Sequence, residues 1–429
     1  MTDVEETAAA EQAAYVEETA ATIVPLLEPA EGLPPVVTTA AQLAEAVARL
    51  AEGAGPVAVD AERASGYRYG QRAYLVQLRR RGAGTVLIDP VPLPELAALQ
   101  PVLAEAEWVL HAASQDLPCL AELGLRPSRL FDTELAGRLL GHPRVGLGAM
   151  TEAVLGLSLR KGHSAADWST RPLPEDWVRY AALDVEVLVE LRDALESQLR
   201  DQGKTEWAAE EFDAIVQAPP PPPRVDPWRR TSGMHRVRRP RQLVVVRELW
   251  LTRDELARAR DISPGRVLPD SAIVEAALAQ PKTQDELLAL ATFGGRATRR
   301  RLGLWWSAVE RAAAVPEEQL PSAQPLADGP PPARSWNERN PAAAVRLAAL
   351  RAAVAAIADE HTLPTENLLA PDTVRRLAWE PPAGCDVETV AGVLRSHRAR
   401  NWQVDLTARP LAKALDRLLR AEEAGPAAG

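Results

Sequence analysis

Two different periods of apolar and polar positions alternate along residues 35–218. From Thr39 to Ala51 the apolar residues recur at helical spacing, whereas Val57-Ala58-Val59 is a short apolar run, predicting a strand over 56–60. Ala73-Tyr74-Leu75-Val76-Gln77-Leu78-Arg79 predicts its partner, and Gly82 and Gly84 mark a turn before a third strand, Val86-Leu87-Ile88. The pattern next predicts a helix over 94–105, a strand at Trp108-Val109-Leu110-His111 and a helix over 117–123. Phe131-Asp132-Thr133-Glu134-Leu135 is expected to open another helix, and further helices follow over 151–155, 174–183 and 185–199. Strands first and helices afterwards predict an α/β domain, a mixed sheet flanked by helices.

Beyond 218 the pattern is helical, and proline punctuates it. Pro219 to Pro223 cannot continue a helix and predicts an extended spacer, and a second runs from Val315-Pro316 to Pro330-Pro331-Pro332. The expected organisation is an acidic, disordered leader (1–34), the α/β domain (35–216), a Pro/Arg-rich linker (217–233), an all-helical module (234–315), a Pro-rich linker (316–334), a second helical module (335–421) and a tail (422–429). Thr252 with Glu255, and Thr283 with Glu286, have the spacing of capping boxes and mark helix starts in the first module. Gly294-Gly295 breaks the chain before a helix over 296–311, and Trp250, Trp305 and Trp306 are expected in the core.

Charge sharpens this division. The net charge of -10 is distributed as -8 over 1–34, -8 over 35–218, +8 over 219–315 and -2 over 316–429. An acidic block thus adjoins a basic one, and the second suits a polyanion. Two cysteines, Cys119 and Cys385, make no disulfide framework, and no segment reaches the roughly 18 apolar residues of a membrane span. With an acidic N-terminus unlike a signal peptide, the expectation is a soluble cytoplasmic protein that does not engage membranes.

The acids supply candidate chemistry. Residues i and i+2 of a strand project from one face, so Asp60 and Glu62 can share a cation, and i and i+4 of a helix place Tyr180 beside Asp184. Asp116 follows the strand ending at His111. A carboxylate site without Cys or His suits magnesium, and two such ions roughly 4 Å apart can hold the attacking and leaving oxygens of a phosphodiester. Taken singly, each acid is more often an ordinary surface or capping residue.

Together these motifs resemble the DEDD exonuclease superfamily. Val59-Asp60-Ala61-Glu62 with Tyr74-Leu75-Val76-Gln77-Leu78 is similar to its first motif, and His111-Ala112-Ala113-Ser114-Gln115-Asp116-Leu117 with Phe131-Asp132-Thr133 to its second. Tyr180-Ala181-Ala182-Leu183-Asp184 resembles the third in its tyrosine form, while Asp167-Trp168-Ser169-Thr170-Arg171-Pro172-Leu173 resembles the signature of the ribonuclease D branch. Residues 234–315 resemble an HRDC domain, and 335–421 more distantly a second one. The resemblance implies an RNase H-like exonuclease fold followed by helical HRDC-type domains, and 3′-5′ trimming of RNA, with tRNA precursors as the usual substrate. It implies that Asp60, Glu62, Asp116 and Asp184 hold two Mg2+ ions, Mn2+ being the alternative, and that Tyr180 orients the attacking water. Gln115 and Ala61 depart from the commoner family residues, an acid and Thr respectively.

Arginines are candidates for the nucleic-acid path: Arg63, Arg72 and Arg171 in the first domain, then Arg236, Arg238, Arg239, Arg241, Arg299 and Arg300. A solvated surface is the alternative for each, and Arg171 has Asp167 or Asp176 as a candidate ion-pair partner. Trp168 is expected to be a core anchor, and His111 and His163 to be structural. The residues leave two rivals open: a 3′-5′ DNA exonuclease, because carboxylates do not read the sugar, and an inactive RNA-binding scaffold.

Overall fold

In the computed structural model, residues 23–93, 95–160, 162–322 and 329–423 are described. Strands β1 (Val24–Leu26), β2 (Val36–Val37), β3 (Ala54–Arg63), β4 (Ala73–Arg81), β5 (Gly84–Ile88), β6 (Glu107–Leu110), β7 (Arg129–Asp132) and β8 (Leu157–Leu159) form two sheets. The larger has the order β2-β5-β4-β3-β6-β7, with β3 antiparallel to β4 and parallel to β6. Helix α1 (Ala40–Glu52) is opened by a reciprocal Thr39–Gln42 capping box and buries Leu43, Ala46 and Leu50. Along β3 the period of two divides the side chains: Val57, Val59 and Ala61 enter the main core, while Ala58 packs against Val185, Leu188 and Val189 on the opposite face. Asp60 and Glu62 follow Ala58 on that second face.

Helices α2 (Gln100–Glu105), α3 (Leu117–Glu122), α4 (Thr133–Leu139), α5 (Leu147–Leu155), α6 (Glu175–Glu186), α7 (Leu188–Asp201) and α8 (Thr205–Val216) complete the first domain. The helix expected to open within 131–135 does so, but an unexpected strand, β7, precedes it. Arg129–Asp132 is a strand paired with Glu107–Leu110, and the helix starts only at Thr133, capped by Asp132 through Glu134 N and Leu135 N. Burial of Leu130 and Phe131 at the end of the parallel array overrides the local helical reading. The leader boundary at 34 also moves, because β1 pairs in parallel with β8; residues 1–22 lie outside the described residues.

The basic module is built on α9 (Pro240–Arg260), which runs unbroken through Thr252. Thr252 is therefore no cap, and its hydroxyl donates to Glu248 O instead, whereas Thr283 does cap its helix by accepting from Glu286 N. Trp305 and Phe293 are fully buried, Trp250 and Trp306 partly so. Trp228, assigned from sequence to the linker, is buried in this core, so the ordered module begins before 234. The module docks on the loop after β3: Tyr69 donates to Asp254, Ser263 N donates to Tyr67 O, and Arg266 donates to Gly66 O.

The last module is not separate. One hydrophobic core runs from the large sheet through α7 and α8 to Trp402, Leu411 and Leu415. Trp207 and Trp402 stack with centroids 4.9 Å apart, and the buried Lys204 ammonium donates to Leu139 O and His361 O, each at 2.7 Å. Pro341–Glu360 is the one described helix long and apolar enough to cross a membrane, yet its Ala343, Leu347, Leu350, Val354 and Ala358 are buried in this core.

Candidate active site

β3 pairs with β6 only at Val57 and Ala58, so beyond Ala58 the strand has no parallel neighbour. The space there opens at the carboxyl end of the parallel strands, where α/β folds place ligands. It is a cavity of about 510 Å³ lined by Asp60, Glu62, Arg63, Asp116, Tyr180 and Asp184, among others. Carboxylate oxygens of Asp60, Glu62 and Asp184 all lie within 4.8 Å of one another. Asp116 stands outside that triad, with Arg63 Nη2 3.4 Å from its Oδ1.

Asp132 places Asp116. Its two carboxylate oxygens accept from Ala112 N at 3.1 Å and Ala113 N at 2.8 Å, holding Ala112 at φ 59 so that the chain turns directly from β6 into α3. In the sequence Asp132 carries only the signal of a carboxylate just before a helix start, which does not reveal this task. His111 also lines the cavity; its Nδ1 lies 2.9 Å from the Thr133 hydroxyl, and burial lowers its pKa.

The electrostatics are those of acids forced together. Burial pushes Asp60 up to about 6, and Asp116 rises to about 8 through burial and repulsion from Asp60. Glu62 reaches about 10, because burial is compounded by Asp60, Asp184 and Asp116. Asp184 is raised by burial and by Asp60, and it accepts a hydrogen bond from Tyr180, whose phenol is itself raised by burial and by Asp184. Hydrogen bonds from Ala61 N to Asp60 and from Tyr180 to Asp184, with the Arg63 guanidinium beside Asp60, Glu62 and Asp116, offset only part of this, and the oxygen-only donor set fits a hard divalent cation. The resemblance of the motifs to the DEDD exonucleases implies divalent metal use, in keeping with this acidic cluster.

Around this floor, Trp168 is fully buried and donates to His163 O, while the His163 ring meets Tyr180 edge-on at 5.9 Å. Leu159, Arg160, Gly162 and Ser164 line one wall, so the loop around His163, expected from sequence to be structural, also borders the cavity. The expected arginines separate. Arg63 lines the cavity; Arg72 is exposed, with its guanidinium 4.7 Å over the Tyr74 ring. Arg236, Arg238, Arg239, Arg299 and Arg300 are exposed on the basic module and do not line the cavity.

Two assignments are corrected. Arg241 donates to Val315 O at 2.6 Å, tying the two ends of its module together. Arg171 is a structural knot: it donates to both Asp89 oxygens at 2.6 and 2.8 Å and to Tyr74 O, Trp168 O and Thr170 O, each at 2.7 Å. With its donors so occupied, it has little left for a phosphate. Arg171→Ala is expected to cost about 2 kcal/mol of stability, mostly by leaving Asp89 buried and unpaired. The denaturant midpoint checks this, with RNA affinity of the folded variant expected to stay near the parent value.

Residues 34–200 match the 3′-5′ exonuclease family, 242–309 the HRDC domain and 329–415 the 3′ to 5′ exonuclease C-terminal domain. Ribonuclease D of Nitrobacter hamburgensis is 30% identical over 371 residues, covering 83% of this chain and 91% of that one. A protein from Bifidobacterium adolescentis has a crystal structure that superposes with a TM-score of 0.84 at 39% identity, covering 92% of this chain and 99% of its own. Escherichia coli RNase D, an exoribonuclease involved in structured RNA processing, superposes with a TM-score of 0.64 at 25% identity, covering 90% and 98% respectively.

Proposed function

Because this chain belongs to the ribonuclease D family and is a 3′-5′ exoribonuclease, we propose that the four acids lining its cavity hold two divalent cations for hydrolysis at RNA 3′ ends. The proximity of the Asp60, Glu62 and Asp184 oxygens, in a cavity that Asp116 and Tyr180 also line, carries this reading. Asp60, Glu62 and Asp184 would hold one ion, and Asp60 with Asp116 the other. Bound there, the ions would supply Lewis acidity toward water and the phosphate. Mg2+ fits the donors best, with Mn2+ as the alternative.

The remaining tasks fall to side chains. Tyr180, raised above its ordinary pKa, keeps its proton, so it can orient the attacking water by hydrogen bonding but does not act as a base. Arg63 faces the acids and offers a phosphate contact once Asp116 is otherwise engaged. On the HRDC domain, Arg236, Arg238, Arg239, Arg299 and Arg300 would add salt-dependent, sequence-independent affinity for the body of the RNA. Precursors of tRNA, in the cytoplasm, are the substrates proposed.

Matched RNA and DNA oligomers and a 3′-extended tRNA, each incubated with Mg2+, with Mn2+ or with chelator, test this reading. Stepwise shortening of the RNA from its 3′ end is expected with metal alone. Trimming that persists in chelator would defeat the metal assignment, and equal trimming of DNA would defeat the substrate assignment.

A further inference from the structure

Residues 23–31 contact two elements that border the catalytic cavity, β8 and α6. Strand β1 pairs with β8 in the register Val24↔Leu157, Pro25↔Ser158, Leu26↔Leu159, and Val24 N donates to Gly156 O at 2.9 Å. The chain leaving β8 supplies Leu159, Arg160, Gly162 and Ser164 to the cavity wall. Further on, the segment crosses α6, which carries Tyr180 and Asp184. Arg179 Nε donates to Glu28 at 2.9 Å, and Ala30 N donates to Glu186 Oε1 at 3.1 Å. Arg179 and Glu186 are seven residues apart, two turns on one face of α6, and they bracket the Tyr180–Asp184 pair.

Two further contacts anchor its end. Glu186 also pairs with Arg79 of β4 at 3.0 Å, and Glu31 lies 3.9 Å from the same guanidinium. Gly84, at φ +70, leaves the space that Glu31 occupies, because a Cβ there would collide with the Glu31 carboxylate. Within 23–31 only Pro29 is buried, and Ile23, Val24 and Leu27 are about half exposed. Strand pairing and ion pairs hold the segment, so its removal leaves the hydrophobic core intact.

We propose that residues 23–31 are a positioning strap for the reaction, fixing α6 so that Tyr180 and Asp184 keep their aim and fixing β8 so that Arg160 stays at the cavity wall. The strap gives the exonuclease site a control separate from its ligands. It rests on the hydrolytic reading above for its kinetic effect, but its hold on α6 is independent of substrate.

The test compares the full chain, a chain beginning at Ile23, a chain beginning at Gly32, and the variants Glu28→Ala, Glu28→Gln and Val24→Pro. Beginning at Gly32 is expected to lower kcat about tenfold, the scale of a small misplacement of reacting groups, while thermal unfolding stays near that of the chain beginning at Ile23. Glu28→Ala should lower kcat with KM within about twofold of the parent, and Glu28→Gln, which keeps an acceptor, should recover part of the loss. Val24→Pro removes the donor to Gly156 and should act on KM through β8. Without RNA or metal, amide exchange in 175–186 and 157–160 should accelerate in the chain beginning at Gly32. Unchanged exchange there, or unchanged kcat and KM, overturns the strap; a full-length chain that trims no RNA with any divalent ion overturns the hydrolytic reading, and exchange still decides the strap.

Discussion

Asp60→Asn is expected to lower RNA trimming by about 10³-fold or more while raising the unfolding temperature of the metal-free protein. Both effects have one cause. Asp60 is a named source of repulsion for Glu62, Asp116 and Asp184, and its own carboxyl is pushed up to about 6 by burial. Asparagine keeps the shape and removes the charge, so cation affinity falls and the three remaining acids are relieved. Relief of about 1 kcal/mol corresponds to a rise of about 1–2 °C in a cooperative unit of this size. Single-turnover cleavage and calorimetry in chelator measure the two effects, and parent-like cleavage, or a lowered unfolding temperature, would count against the site as described.

Without metal, the protein is expected to lose stability as pH rises from about 4 toward 10, across the ordinary and folded values of these acids. Carboxyls raised in the folded state bind protons more tightly there than in the unfolded chain. Their contribution is therefore fully present below the unfolded values and is lost as pH climbs through the folded ones. Asp60 spans 3.8 to about 6, Asp116 3.8 to about 8 and Glu62 4.5 to about 10. The Asp60 range alone represents roughly 3 kcal/mol of linkage. Excess Mg2+ selects the ionised carboxylates, so it should flatten or reverse the slope and stabilise most at high pH. Melting curves across pH in chelator and in Mg2+ measure this, and identical slopes would mean that the acids hold no cation.

Local rules carried much of the site. A strand's period of two put Asp60 beside Glu62, and a helical turn put Tyr180 beside Asp184, because both pairings arise within one element. Asp116 depended on the motif, since what places it is Asp132, sixteen residues further on, accepting from the turn at Ala112 and Ala113. Arg171 was misread because its acid, Asp89, is 82 residues away and absent from the local charge pattern. The two- and three-residue strands β1, β2 and β8 are too short to show a period. Likewise, the stack of Trp207 on Trp402 is purely tertiary, so a proline spacer in sequence gave no hint that the flanking regions share a core.

That shared core makes the HRDC domain an insertion in space. The chain leaves the exonuclease body after α8, builds the basic module and returns to pack on α8 again, so the module is leashed at both ends. Two leashes, with the docking of Tyr69 on Asp254, confine anything the module holds to a small volume around the cavity. An RNA gripped there would meet the carboxylates at a high effective concentration after each nucleotide is lost. How far the enzyme trims before letting go would then be governed by tether geometry as much as by the affinity of the acidic pocket.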